Sequence, residues 1–187
     1  LRSSLCKSDV ITPRPRTPGG PKGNAFKSSM VVNIYRGWFR VSMSELLERL
    51  EAAGIILDDL TKSAMIDINP GDFTDYDLEG FWHDRPVPFL FTGFGATRTI
   101  SAPHMIATLL YHLEVIVGQD IILVGSKGGY LAAIIDRMVG EDGSVTIIEP
   151  NEEVRLHTED RLSSHRCSGE IKVIRPNDVD EIEHLSG

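Results

Sequence analysis

The chain has 187 residues, 41% apolar and 25% charged, enough for one globular domain with a core and too few for two. No run approaches the roughly 18 to 20 consecutive apolar residues that span a bilayer, so no membrane partner is expected. The net charge of -8 divides into +7 for residues 1–42 and -15 for residues 43–187, and an acidic domain of that kind repels phosphate, which argues against nucleic acid.

The first 42 residues include SDVITPRPRTPGGPKGNAFKSS, rich in Pro, Gly, Ser and basic side chains and without apolar periodicity. Such a composition does not offset its ordering entropy, so residues 1–42 are expected to form a flexible basic leader: a transit-type segment, a phosphate-binding arm, or sequence upstream of the functional domain. Ser42 to Glu45 form a capping-box pattern that opens an amphipathic helix with Leu46, Leu47 and Leu50 on one side, placing the start of the domain, 43–187, at Met43. An acidic stretch and MIDINPGDFTDYDLEGFWHDRPVPF follow, cut by Pro, Gly and Asp into expected loops with short helical turns, which completes an N-terminal helical and loop region over 43–100.

Ser101 is expected as the N-cap of a helix in which Met105, Ile106, Leu109, Leu110 and Leu113 recur at helical spacing, with Pro103 tolerated in the first turn. The run from Asp120 into IILVG reads as a strand buried on both faces of a parallel sheet, followed by a helix over Tyr130 to Val139 that stops near Gly140. SVTIIEP is a second buried strand, NEEVRLHTEDRLSSH a polar amphipathic helix and EIKVIRP a third strand. Strand, helix, strand, helix, strand with short connections predicts a doubly wound α/β fold, whose ligand-binding part occupies 101–187. Two cysteines, Cys6 and Cys167, cannot build a disulfide framework and no Cys or His cluster has zinc spacing, so a reducing compartment, the cytoplasm, and no metal are expected.

In doubly wound sheets ligands bind beyond the carboxyl ends of the strands, where a glycine turn lets backbone approach the cofactor. VGSKGGY stands at that place, and Glu149 ends the next strand 24 residues beyond Gly125, an interval suited to an acid that hydrogen-bonds ribose hydroxyls. An adenosine-bearing cofactor is therefore expected. Lys127 occupies the place of the second glycine of G-x-G-x-x-G, so the strict dinucleotide fingerprint fails, and spacing alone does not separate a nicotinamide dinucleotide from S-adenosylmethionine.

TISAPHM at Thr99 to Met105, with DRPVP at Asp84 to Pro88 and GFGAT at Gly93 to Thr97, closely resembles the protein-L-isoaspartate O-methyltransferase family. The resemblance extends over about Met43 to Asp178, with Thr97 and Arg98 looking like a small insertion ahead of the serine motif. It implies a Rossmann-like doubly wound class I methyltransferase sheet and S-adenosylmethionine as cofactor. Isoaspartyl-containing peptides and proteins are the implied partners, methylated on the free α-carboxylate in protein repair. Ser101 then falls on the active-site serine, and Thr99, Ile100, Ala102 and His104 on the segment lining cofactor and acceptor. Gly125, Ser126, Gly128 and Gly129 fall on the cofactor loop and Glu149 on the ribose acid. His104 also reads simply as a local hydrogen-bonding group, and one Ser101 hydroxyl can serve as both cap and acceptor contact.

Two departures fall on the loop: Leu123 stands where the family has an acid and Lys127 where it has a glycine. They keep a second reading open, a non-catalytic adenosine-binding or interaction module on a degenerate methyltransferase fold. The family also continues into further strands, whereas this sequence stops at Gly187. The sheet is thus expected to be incomplete at the C-terminus, with IILVG as an open edge that a partner or a further C-terminal segment would complete.

Overall fold

The computed structural model describes residues 42–178; the leader through residue 41 and the stretch 179–187 lie outside the described residues, together with the expectations made for them. Helix α1, Met43–Ala52, starts at the capping box as expected: Ser42 accepts from the Glu45 N–H at 3.2 Å while Glu45 accepts from the Ser42 N–H at 2.8 Å. Its Leu46, Leu47 and Leu50 are buried. The acidic stretch is more regular than expected, because Asp58 caps a nine-residue helix α2, Asp59–Asp67, by accepting from the Thr61 N–H at 2.7 Å. Thr61, Ala64 and Met65, spaced by three and four, turn one face of α2 into the core. Short turns then follow as read: a 3-10 turn at Pro70–Phe73 and the one-turn α3, Glu79–Trp82.

A hairpin stands where loop was expected. Strand β1, Val87–Phe91, pairs antiparallel with β2, Thr97–Ile100, with a register shift between Pro88 and Leu90. Pro88 lies in the stretch read as cut into loops, yet a proline is tolerated beside a bulge, and Gly93 and Gly95 suit the turn. Thr97 and Arg98 are strand residues opposite Phe91 and Leu90.

Helix α4 runs Pro103–Leu113 with Ala102, not Ser101, as its N-cap and no side-chain cap bond from that residue. Proline at the first helical position forces the cap onto the residue before it, which puts Ser101 one place too early. Of the apolar positions read onto α4, Ile106 and Leu110 are buried, while Met105, Leu109 and Leu113 are exposed.

Strands β3 (Asp120–Val124), β4 (Ser144–Ile148) and β5 (Glu170–Ile174) form a parallel sheet in that order, linked by helices α5 (Tyr130–Val139) and α6 (Glu152–Ser164). This is the expected strand and helix succession. Central β4 buries Val145, Thr146 and Ile147 consecutively. Edge strand β3 does not behave as a strand buried on both faces: Ile121 is buried, but Ile122 and Val124 are 47% and 81% exposed. Among the described residues nothing pairs with its outer edge. The core centres on α5, where Tyr130 packs against Phe73 and Phe81 at ring-centroid distances of 5.6 and 5.8 Å. Among the described residues no helix is long and apolar enough to cross a membrane.

Candidate active site

The glycine turn leaves the carboxyl end of β3 through a run of left-handed backbone: Gly125 at φ +90°, Lys127 at +49°, Gly128 at +76° and Gly129 at +93°. Glycine adopts these angles freely, whereas a residue with Cβ such as Lys127 does so at a cost of about 1 to 2 kcal/mol. Gly128 also answers a packing demand. A Cβ there would lie 2.9 Å from the ring of Phe89, a buried residue of β1 that packs the hairpin against the turn.

Ser126, between those glycines, is buried and points inward. Its N–H and hydroxyl donate to Glu149 Oε2 at 2.8 and 3.0 Å, and the Thr158 hydroxyl of α6 lies 2.8 Å from Ser126 Oγ. Glu149 Oε1 accepts from the Asn151 N–H at 2.9 Å. A carboxylate offers about four acceptor positions, so one remains on Glu149, at Oε1. Glu149 therefore locks the turn after β3 to the start of α6 while still facing the space between them.

That space is a cleft of about 350 Å³, within the lower part of the range of small-molecule sites. Thr99 and Arg98 line it from β2, Gly125 and Lys127 from the turn, and Glu149 and Asn151 from the end of β4. Lys127 also borders a much smaller void of about 10 Å³, lined further by Ile100, Ser101 and Tyr130. The structure thus gathers Thr99, Gly125 and Glu149 on the cleft and Ile100 and Ser101 on the adjoining void. Among the described residues the Ser101 hydroxyl has no hydrogen-bond partner.

Other sequence candidates are not on the cleft. Ala102 is buried under α4, Gly128 and Gly129 face the core, and Ser126 reaches the cleft only through Glu149. His104 is engaged elsewhere: Asp84 Oδ1 accepts from its N–H at 2.9 Å and Asp84 Oδ2 lies 2.8 Å from Nδ1. Asp84 therefore supplies the helix cap expected of Ser101. Sequence reasoning missed Arg98 and Asn151 on the cleft and Asp84 as the cap of α4. Asp84 stood in a quoted motif, but its φ of +57° and its reach to α4 are visible only in three dimensions.

His157 of α6 supports the cleft from behind, with Nε2 3.2 Å from the Phe73 carbonyl and its ring 5.0 Å from that of Phe89. Burial lowers its pKa, so the ring is neutral at neutral pH. At the head of α6, Arg155 and Arg175 hold the Glu152 carboxyl down to about 2.

The family model of Protein-L-isoaspartate(D-aspartate) O-methyltransferase (PCMT) matches residues 41–178. A protein-L-isoaspartate O-methyltransferase of Methanopyrus kandleri is 31% identical over 137 residues, 73% of this chain and 58% of its own length. One from Pyrobaculum islandicum is 32% identical over 130 residues, 68% of this chain and 60% of that protein. The chain thus spans somewhat more than half the length of these two relatives. A solved protein-L-isoaspartate O-methyltransferase structure superposes with a TM-score of 0.59 at 22% identity, covering 71% of this chain and 41% of the other. That likeness shows the fold, an α/β class I methyltransferase sheet.

Proposed function

From the premise that this chain belongs to the protein-L-isoaspartate O-methyltransferase family, we propose that it methylates the α-carboxylate of L-isoaspartyl residues in damaged proteins, with S-adenosylmethionine held in the cleft and the cytoplasm as its place of action. The observation that carries this reading is the convergence of Thr99, Gly125 and Glu149 on one cleft, with Ser101 on the void beside it. The donor set fits the cofactor: Glu149 keeps one acceptor position for a ribose hydroxyl, and Gly125 has no side chain to block a nucleoside.

Bound S-adenosylmethionine supplies an electrophilic methyl group on a sulfonium. The acceptor carboxylate, with an ordinary pKa of about 4, is ionised at neutral pH and needs no general base. The chain's task is then alignment, which contributes up to about 7 to 11 kcal/mol in favourable cases. Ser101, whose hydroxyl has no protein partner among the described residues, orients the acceptor oxygen by donating to it. Glu149 holds the ribose, and its bonds to Ser126 and Asn151 keep it from swinging away.

Calorimetric titration of the full chain with S-adenosylmethionine, with an isoaspartyl peptide present and methyl ester followed in the same sample, tests this. Binding with ester formation that is lost in Ser101→Ala supports the repair reading. Binding without ester favours an adenosine-binding module, and no binding by a folded chain rejects both.

A further inference from the structure

Of the eleven Lys and Arg side chains among the described residues six meet a carboxylate, among them Lys62 with Glu51, Arg137 with Asp67, Arg161 with Asp75 and Lys172 with Glu170. The two that line the cleft do not. Among the described residues Arg98 and Lys127 have neither an ion-pair nor a side-chain hydrogen-bond partner. The one carboxylate lining the same cleft, Glu149, already accepts three hydrogen bonds from Ser126 and Asn151. The cleft therefore holds two cations against one engaged acid, inside a protein of net charge -8.

Lys127 stands out further. It is the residue common to the linings of the cleft and of the void at Ser101, so it borders both the place expected for the cofactor and the place expected for the acceptor. It also holds a left-handed backbone, φ +49°, with glycines at the next two positions. A residue with Cβ kept at an unfavourable angle, with an unpaired charge among the described residues and a place in the lining of a cleft, points to use of that charge.

We propose that Lys127, assisted by Arg98, recognises a carboxylate bound in the cleft. The inference rests on the reading of the cleft as an adenosine-cofactor site. Two ligands bring that chemistry: the amino-acid tail of the cofactor and the α-carboxylate of the isoaspartyl acceptor. In either case a charge-assisted hydrogen bond from the ammonium positions the ligand, a contact that the glycine standing at this place in the family pattern has no side chain to make.

The test is calorimetry on the full chain, as wild type, Lys127→Gly and Lys127→Arg, with three probes: S-adenosylhomocysteine, 5′-methylthioadenosine, which lacks the carboxylate, and an isoaspartyl peptide. If the cofactor tail is bound, Lys127→Gly weakens S-adenosylhomocysteine by about tenfold and leaves 5′-methylthioadenosine unchanged, and Lys127→Arg restores affinity. If the acceptor is bound, both nucleosides are indifferent to the substitution. The peptide then loses about tenfold, measured with S-adenosylhomocysteine present, and its α-amidated form loses nothing. Nucleosides and peptide that all bind Lys127→Gly as tightly as the wild type overturn this inference alone. Failure of both nucleosides to bind the folded wild type overturns it together with the adenosine reading. Glycine relieves the left-handed strain, so the variant should melt no lower than the wild type, and lost binding is then not lost folding.

Discussion

Asp84, on the turn after α3, grips His104, on the first turn of α4, by two contacts: Oδ1 accepts from the backbone N–H at 2.9 Å and Oδ2 lies 2.8 Å from ring Nδ1. One side chain thus caps the helix that follows Ser101 and fixes the ring beside it. Asp84→Ala should lower stability by about 1 to 2 kcal/mol, the usual value of a lost cap, whereas Asp84→Asn, which keeps an acceptor and tolerates φ +57°, should lose less. Urea unfolding of both variants decides it, and equal losses would show that the cap is not the source.

Two glycines of the turn separate strain from crowding. Gly125, at φ +90°, has nothing within 4 Å of an added Cβ, whereas Gly128, at φ +76°, has the Phe89 ring at 2.9 Å. Gly125→Ala should therefore cost about 1 kcal/mol of backbone strain, and Gly128→Ala about 2 to 4 kcal/mol, because Phe89 and the hairpin must shift as well. Matching denaturation midpoints for the two variants would refute the packing role of Gly128.

Tyr130 is fully buried, and its hydroxyl has no hydrogen-bond partner among the described residues. Burial also pushes its pKa far up, so it stays neutral. Removing an unsatisfied buried donor without changing shape should help. Tyr130→Phe is expected to raise stability by about 1 kcal/mol in chemical denaturation. A loss of similar size would instead mean that the hydroxyl holds a water in the small void it shares with Ser101.

Acid sensitivity should begin near the unfolded histidine pKa. Desolvation lowers the folded pKa of both His157 and His165, so between the folded and unfolded values the unfolded chain binds more protons. Their contribution to stability is complete above about pH 6.5 and is lost as pH falls through the lowered folded values. Thermal midpoints from pH 7.5 down to 5 should fall, and a His157→Gln, His165→Gln double variant should show a shallower fall over the same window. An unchanged slope would assign the acid response to other groups.

Much of the α/β half was legible because its signals are local. The run from Asp120 to Val124, the helix from Tyr130 to Val139 and the Ser42 capping box each depend on residues within a few positions of one another. The acid at Glu149 was legible in place but not in use, since its bonds to Ser126 and Asn151 tie together loops that the spacing rule treats separately. The hairpin was not legible at all, because the prolines before Phe89 outweighed a pairing that only the register Val87 to Ile100 reveals.

The sequence by itself determined the succession of parallel strands and helices, the glycine turn and the family motif, because period, breakers and motif spacing act along the chain. Tertiary structure alone decided that Asp84 caps α4 in place of Ser101, that β3 leaves Ile122 and Val124 exposed, and that Lys127 lies between the cleft and the Ser101 void. Each of these depends on which distant segment comes to lie beside a residue, and that follows from packing the elements of residues 42–178 around one core.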